Sequence, residues 1–395
     1  MQNRLKIFFI VSRFPYPLIK GDKLRAFHQI KELSETCDVY LCALTDEKVS
    51  NEWIDALSPF CKEIQVYKLS FLTILTNVIS YFLFSKNPIQ TGYFYNSRIA
   101  KNIEFLINKT NPDHIICQLI RTAPYIQDIH HTPKTIDYMD ALSAGMARRA
   151  ENASGIKKWI FQLEANRLRK YEHHILNDFD NALVISESDR NLIFHYENED
   201  IKIVPNGIDL DYFKPVETEK EFDLLFTGNM SYPPNVQSAL YLVEEIMPLV
   251  WNVKPEVKLL ISGANPVQKI KSLESDKITV KGWIKDIRSS YSGSKIFVAP
   301  MIIGSGLQNK LLEAMAMKMP CISSELANKS LGATEGESIL IGRNSEQYAK
   351  HVISLLEKPD KAAEMAEKGH SFVAGNFSWS KSNEIILETI RNGRS

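Results

Sequence analysis

Cysteine is scarce in this 395-residue chain: five residues, Cys37, Cys42, Cys61, Cys117 and Cys321, with no C-x-x-C pair. That odd, scattered set argues against a disulfide framework and a structural zinc, and it suits a reducing, cytoplasmic setting. An excess of one charge is also missing, since 47 Lys and Arg balance 47 Asp and Glu. A dedicated nucleic-acid binder needs a basic surplus, so that class is set aside and no nucleic-acid partner is expected. No apolar run reaches the roughly 20 residues of a spanning helix. The longest, at 69–84, contains Thr73, Thr76, Asn77 and Ser80. The apolar start of the chain is too short for a signal peptide and reads as a buried strand. Glycine and proline, 17 each, are too few for a collagenous or low-complexity chain. The Gly-x-Gly-x-x-Gly turn is absent after that first strand, which weighs against a dinucleotide-dependent dehydrogenase.

What is present is an alternation of short apolar runs with helix-period segments. Strands are expected at 5–11, 38–43, 63–68, 113–117, 135–138, 182–185 and 202–204, and again at 222–227, 258–262, 277–281, 296–299, 321–323 and 338–341. Helices fit at 23–34, 156–177, 236–250, 308–318, 345–356 and 380–391. Unalternated Val, Ile, Leu and Phe strands with helical crossovers indicate parallel sheets covered on both faces. The pattern occurs twice, so the fold class is α/β with two doubly wound, Rossmann-like domains. Pro-Asn-Gly at 205–207 and the charged run 217–221 mark the boundary. The domains are therefore expected at 1–205 and 221–376, with a hinge at 206–220 and a C-terminal helix in 377–395 that could dock on either one.

The segment 299–317 reads as strand, Gly-Ser-Gly turn (304–306), then helix. Ser305 followed three residues later by Gln308 resembles a capping box and places the helix start at Gly306. Such a helix end offers free N–H groups and the positive end of the dipole, which suits a phosphate. Gly306, Lys310 and Glu313 would share one face, presenting N–H donors, an ammonium and then a carboxylate that ribose hydroxyls can reach. An ordinary capped amphipathic helix with a solvated Lys310–Glu313 pair is the plain alternative.

Lys310 to Met317 (Lys-Leu-Leu-Glu-Ala-Met-Ala-Met), with Pro320, Ser323 and Ser324, resembles the C-terminal signature of GT-B fold glycosyltransferases of family 4 (group 1). Within that family the nearest likeness is to bacterial exopolysaccharide and O-antigen sugar transferases. Pro-Asn-Gly-Ile-Asp at 205–209, the segment 223–234 with Asn235 (Phe-Thr-Gly-Asn-Met at 226–230, then Pro-Asn at 234–235) and Val-Lys-Gly-Trp-Ile-Lys-Asp at 280–286 fit the same branch. So does the first loop, with Arg13, Pro15, Pro17, Lys20, Gly21, Asp22 and Arg25.

The resemblance implies a transferase that moves a sugar from a nucleoside-diphosphate donor to a glycan or lipid-linked acceptor, retaining configuration and using no metal or other cofactor. It implies Gly21 at the donor diphosphate, with Asp22 or Arg25 touching donor or acceptor; Asp22 as a helix N-cap is the structural alternative. Asp140 first and Asp137 second are the candidates for acceptor contact or acid–base work, with Ser143 and Arg25 on the acceptor side. Capping of the next helix would equally explain one of those carboxylates. Gly228, Asn229, Ile284, Ser305, Gly306, Leu307, Lys310 and Glu313 form the implied donor set. Trp283 would flank the base or pack in the core. No cations follow Gly228 in 229–235, so Lys310 is expected to supply the charge for the phosphates. Many family members carry two glutamates eight positions apart. Here the second is Glu313 and the first position is Ser305, which leaves the donor sugar open. Asp209 and Asp211 imitate a metal-binding Asp-x-Asp but lie in the hinge motif and are assigned to hinge structure.

Two stretches suggest contact with the inner membrane leaflet. Residues 146–170 hold seven cations against Glu151 and Glu164, with Trp159, Ile160 and Phe161 among them. The run 69–84 is a second apolar candidate; core packing is the alternative for both. A nucleotide-sugar epimerase or phosphorylase, or a non-catalytic subunit of a polysaccharide assembly complex, are the competing functions.

Overall fold

A computed structural model describes residues 4–151, 153–195, 198–303 and 306–392. The chain forms two compact units, one of Met1–Pro205 with Trp379–Ser395 and one of Asn206–Ser378. Both expected doubly wound sheets are present.

The first unit holds a seven-stranded sheet of β1 (Leu5–Val11), β2 (Cys37–Thr45), β3 (Glu63–Lys68), β4 (His114–Gln118), β5 (Lys134–Met139), β6 (Asn181–Val184) and β7 (Lys202–Ile203). Their order is β3-β2-β1-β4-β5-β6-β7, and every pairing is parallel. Period two, with both faces covered, explains why β1 is apolar and buried from Ile7 to Val11. Ile7, Phe9 and Val11 pack with Ile30 and Leu33 of the Gly21–Thr36 helix and Ile386 and Ile390 of the C-terminal helix. Phe8 and Ile10 face the opposite layer, with Ile103 and Ile107. The Trp379–Asn392 helix thus belongs to the first unit: the Trp379 ring stacks on His28 at 4.6 Å, and the Ser382 hydroxyl donates to the Pro205 carbonyl.

The second unit repeats the plan with β8 (Phe222–Thr227), β9 (Leu259–Ser262), β10 (Ile278–Lys281), β11 (Ser294–Ala299), β12 (Cys321–Ser323) and β13 (Leu340–Ile341). Their order is β10-β9-β8-β11-β12-β13, again all parallel. In each sheet the strand order reverses beside the first strand, β1 or β8. Open α/β sheets bind ligands at that switch point, outside the carboxyl ends of the strands. Asp209 lies outside both sheets, where its carboxylate accepts from the Asp211 and Tyr212 N–H groups and closes a turn.

Candidate active site

In the first unit the carboxyl ends of β1, β4 and β5 bring several predicted residues to one edge. Gly21 opens the helix after β1, with Lys20 as its N-cap, so Asp22 is not the cap. A Cβ at Gly21 would meet nothing within 4 Å, so the space before this helix end is open. Asp22 lies in the first turn and pairs with Arg13 at 2.6 Å, while its carbonyl accepts from Gln118 at the end of β4. The adjacent strands β4 and β5 lead into non-glycine residues in the left-handed region, Leu119 (φ +64) just after β4 and Met139 (φ +63) as the last residue of β5. Each such residue costs roughly 1–2 kcal/mol, and strain of this kind collects at functional edges. The register of β5 against β6 also shifts between Asp137 and Met139.

That bulge sends the two aspartates of the segment in opposite directions. Asp137 turns inward and is fully enclosed with Arg25, at 2.7 Å. Its carboxylate also accepts a second bond from Arg25, one from Gln29 and one from the Met139 N–H. Arg25 in turn donates to the Val204 carbonyl. The expectation that Asp137 and Arg25 touch substrate gives way here: both are sealed in the unit and tie β5, the first helix and the chain after β7 together. Ser143 is likewise buried, with its N–H and hydroxyl both given to Glu172, at 2.9 and 2.5 Å. It holds the first turn of its helix instead of an acceptor.

Asp140 turns outward and reaches solvent. Protein crowds its other sides, and that partial burial, with the charges of Asp189 and Asp22, lifts its carboxyl to about 6 against the pull of Arg121 and Arg148. Arg121 is braced by two bonds to Gln90 and by the Phe94 ring. The edge thus presents an exposed carboxylate of raised pKa close to arginines, a setting for accepting a hydroxyl proton next to an anionic group.

In the second unit the turn after β8 is made close by glycine. Gly228 has φ +153, and a Cβ there would stand 2.6 Å from the Asn235 amide; one at Gly263 would strike the Gly228 carbonyl at 1.8 Å. Asn235 is buried, donates to the Asn229 carbonyl at 3.0 Å, and accepts from the Lys310 ammonium through its Oδ1. Asn229 itself is exposed at the strand end.

Lys310 is buried beside Asn235, the Met301 thioether and the face of Phe226, whose centroid is 4.9 Å away. An ammonium carries three donors. Among the described residues Lys310 has a single oxygen acceptor. Burial therefore pulls its pKa from 10.5 down to about 7, with only partial relief from Glu313. Glu313, one turn on and half-buried, accepts from the Tyr291 hydroxyl at 2.6 Å, and burial raises its carboxyl. Tyr291 also shares a bond with Thr227 at 3.0 Å.

The helix bearing Lys310 and Glu313 spans Asn309–Ala316, three residues later than expected. Gly306 is therefore not on its face; its carbonyl accepts from the Gln308 side chain, while Leu307 lies half-buried on the core. Ser305, with Gly304, falls outside the described residues. Trp283 is 67% exposed just beyond β10, which rules out core packing for it, and Ile284 beside it is half-buried. A recess of about 260 Å³ near Ile284 is lined also by Glu219, Glu221, Lys281 and Ser290, and it includes neither Lys310 nor Glu313.

Residues 221–358, most of the second unit, match the family model described as "Glycosyl transferases group 1". The chain carries a group 1 glycosyltransferase domain. A Klebsiella pneumoniae relative, the "Uncharacterized 44.6 kDa protein in cps region", is 25% identical to this chain over 95% of its length and 97% of the relative. Among solved structures, sucrose-phosphate synthase of Thermosynechococcus elongatus superposes with a TM-score of 0.71 at 14% identity, covering 98% of this chain and 99% of that one. Anabaena HepE, solved with UDP-glucose, superposes with a TM-score of 0.68 at 13% identity, covering 98% and 100%. These structures share the GT-B fold.

Asn235, Tyr291 and Met301 in the second unit, and Arg13, Arg121, Arg148 and Asp189 in the first, were not among the predicted site residues. Arg13 and Asn235 stand inside recognised motifs, which is the one signal that could have marked them.

Proposed function

We propose that this glycosyltransferase binds a nucleoside-diphosphate sugar at the carboxyl edge of β8 and β11 and transfers the sugar to a glycan or lipid-linked acceptor in cell-surface polysaccharide synthesis. The observation that carries the donor reading is Lys310, a buried ammonium with one oxygen partner among the described residues and a pKa lowered to about 7. A diphosphate oxygen supplies the missing acceptors and counter-charge, and the same contact stabilises the charge that grows on the leaving diphosphate. Glu313, aimed by Tyr291, accepts the ribose hydroxyls, and the exposed Trp283 with Ile284 flanks the base. On the first unit Asp140 receives the acceptor hydroxyl, with Arg121 and Arg148 beside an anionic group of the acceptor. The cps-region name of the Klebsiella relative supports the polysaccharide setting, and the bound UDP-glucose in HepE supports a nucleotide-sugar donor for this fold.

Transfer proceeds with retention and without a metal in this reading. The deciding experiment is calorimetric titration of the protein with a panel of nucleoside-diphosphate sugars, in EDTA. Binding of one donor, followed by its slow hydrolysis and abolished by Glu313→Ala, supports the reading. Absence of binding by every donor overturns it, and tight binding with no turnover on any acceptor favours the partner-subunit role. The anomeric configuration of the product, read by NMR, tests retention.

A further inference from the structure

The Phe71–Phe84 helix of the first unit packs Ile74 on the core yet leaves a second apolar face uncovered. Its polar fastenings point inward: Asn77 donates to the Gly92 and Tyr95 carbonyls at 3.0 and 2.6 Å, and Arg167 donates to the Tyr81 and Phe82 carbonyls at the helix end. Gly92 lets the Tyr81 ring lie so close that a Cβ there would touch it at 2.4 Å. Glu164 secures the neighbouring short helix through the Ile89 and Gln90 N–H groups, at 2.9 and 3.1 Å. None of the helix's residues is buried. Its outward face carries Leu72, Leu75, Ile79 and Leu83, spaced three, four and four apart, with Thr76 and Ser80 exposed among them and Phe71 and Phe84 at the two ends. Leu72 is 72% exposed and Phe84 83%.

The patch extends onto the start of the Gly155–Ile175 helix. Phe82 meets Trp159 edge-on at 6.1 Å, and Ile156 and Trp159 are 74% and 57% exposed. Within 68–86 and 155–163 every charged residue is a lysine. Lys68, Lys86, Lys157 and Lys158 are all exposed, and no Asp or Glu occurs between Glu63 and Glu104. Glu164, the first acid after Glu151, is buried. Fourteen residues make a rod about 20 Å long, too short to cross a bilayer but suited to lie along one. Among the described residues no helix is long and apolar enough to cross a membrane.

The geometry points to this face, Leu72, Leu75, Ile79, Leu83, Phe84 and Trp159 with their lysine rim, as a docking surface for an anionic bilayer. The apolar side chains enter the acyl boundary, the tryptophan sits at headgroup depth, and the lysines meet lipid phosphates. The inference stands apart from the transfer reaction, because vesicle binding needs neither donor nor acceptor.

Its test is co-sedimentation of the full chain with phosphatidylglycerol–phosphatidylcholine vesicles and with phosphatidylcholine vesicles alone. The expected result is binding to the anionic vesicles, weakened by salt. Lys157→Gln with Lys158→Gln should weaken it about 25-fold, near fivefold for each charge. Leu72→Asn with Ile79→Asn should weaken it at least tenfold, with unchanged melting because both side chains already face solvent. Failure of the wild-type chain to sediment with either vesicle overturns the proposal. So does a dimer in sedimentation equilibrium that Leu72→Asn with Ile79→Asn converts to monomer, since the face would then belong to a second copy.

Discussion

Replacing Lys310 by Met shortens the unbranched side chain by one atom and removes its charge, so it tests chiefly what the buried ammonium contributes. In the free protein its pKa of about 7 leaves it about half protonated at pH 7. A donor diphosphate raises that pKa, so binding takes up a proton: about half a proton at pH 7 and about 0.9 at pH 8. Donor affinity is then full below pH 7 and falls roughly tenfold per pH unit above it, until the pKa of the complex is reached. Losing a charge-assisted bond of about 2–3 kcal/mol should weaken donor binding about 30- to 150-fold in Lys310→Met and flatten the pH slope. Stability moves the other way. The unfolded chain holds more protons than the folded one between about 7 and 10.5, so the wild type gains stability as pH rises through that window, and the variant loses that gain. Calorimetry in two buffers of different ionisation enthalpy measures the proton uptake directly. Equal donor affinity in the variant, or enthalpies independent of buffer, would refute the assignment of Lys310 to the phosphates.

Three further outcomes follow from the same geometry. Asp137→Asn breaks the enclosed pair with Arg25, which should cost about 3–5 kcal/mol and lower melting by roughly 6–20 °C; unchanged melting with lost activity would return Asp137 to a catalytic role. Asp140→Asn should not lower melting at pH 7, and should raise it slightly because the raised carboxyl no longer has to ionise in the folded state, and it should slow transfer at least about 100-fold. The wild-type rate should rise with pH through about 6, as the carboxylate forms, and a wild-type rate in the variant would remove Asp140 from the reaction. Tyr291→Phe strips a donor from Glu313 and a partner from Thr227, so it should cost about 1–3 kcal/mol of stability, seen in thermal melting, and weaken donor binding by calorimetry.

The strands were legible because a parallel sheet buried on both faces needs unbroken apolar runs. Phe222–Thr227 and Glu63–Lys68 lie where composition places them, and the other expected strands appear within a residue or two. The start of the Lys310 helix was not legible. Ser305 and Gln308 have the spacing of a capping box, yet Gln308 folds back on the Gly306 carbonyl and the helix waits until Asn309. Asp137 and Asp140 look equivalent in sequence, and what separates them is a one-residue register shift together with the left-handed Met139, neither of which has a local signature. Lys310 was found through its motif, but its partners Asn235 and Phe226 come from distant segments, so the depth of its burial could not be read from its neighbours.

Asn235 links two distant positions of the donor edge. One amide holds the ammonium of Lys310 with its oxygen and the turn after β8 with its nitrogen, in a gap that only a glycine at 228 leaves open. Position 228 cannot gain a side chain without displacing the amide, and the amide cannot move without leaving the lysine stranded. Three positions separated by up to 82 residues (310 − 228) therefore behave as one inherited character. A copy of this gene that drifts away from donor binding should lose all three together, while a copy that changes only its sugar should keep all three.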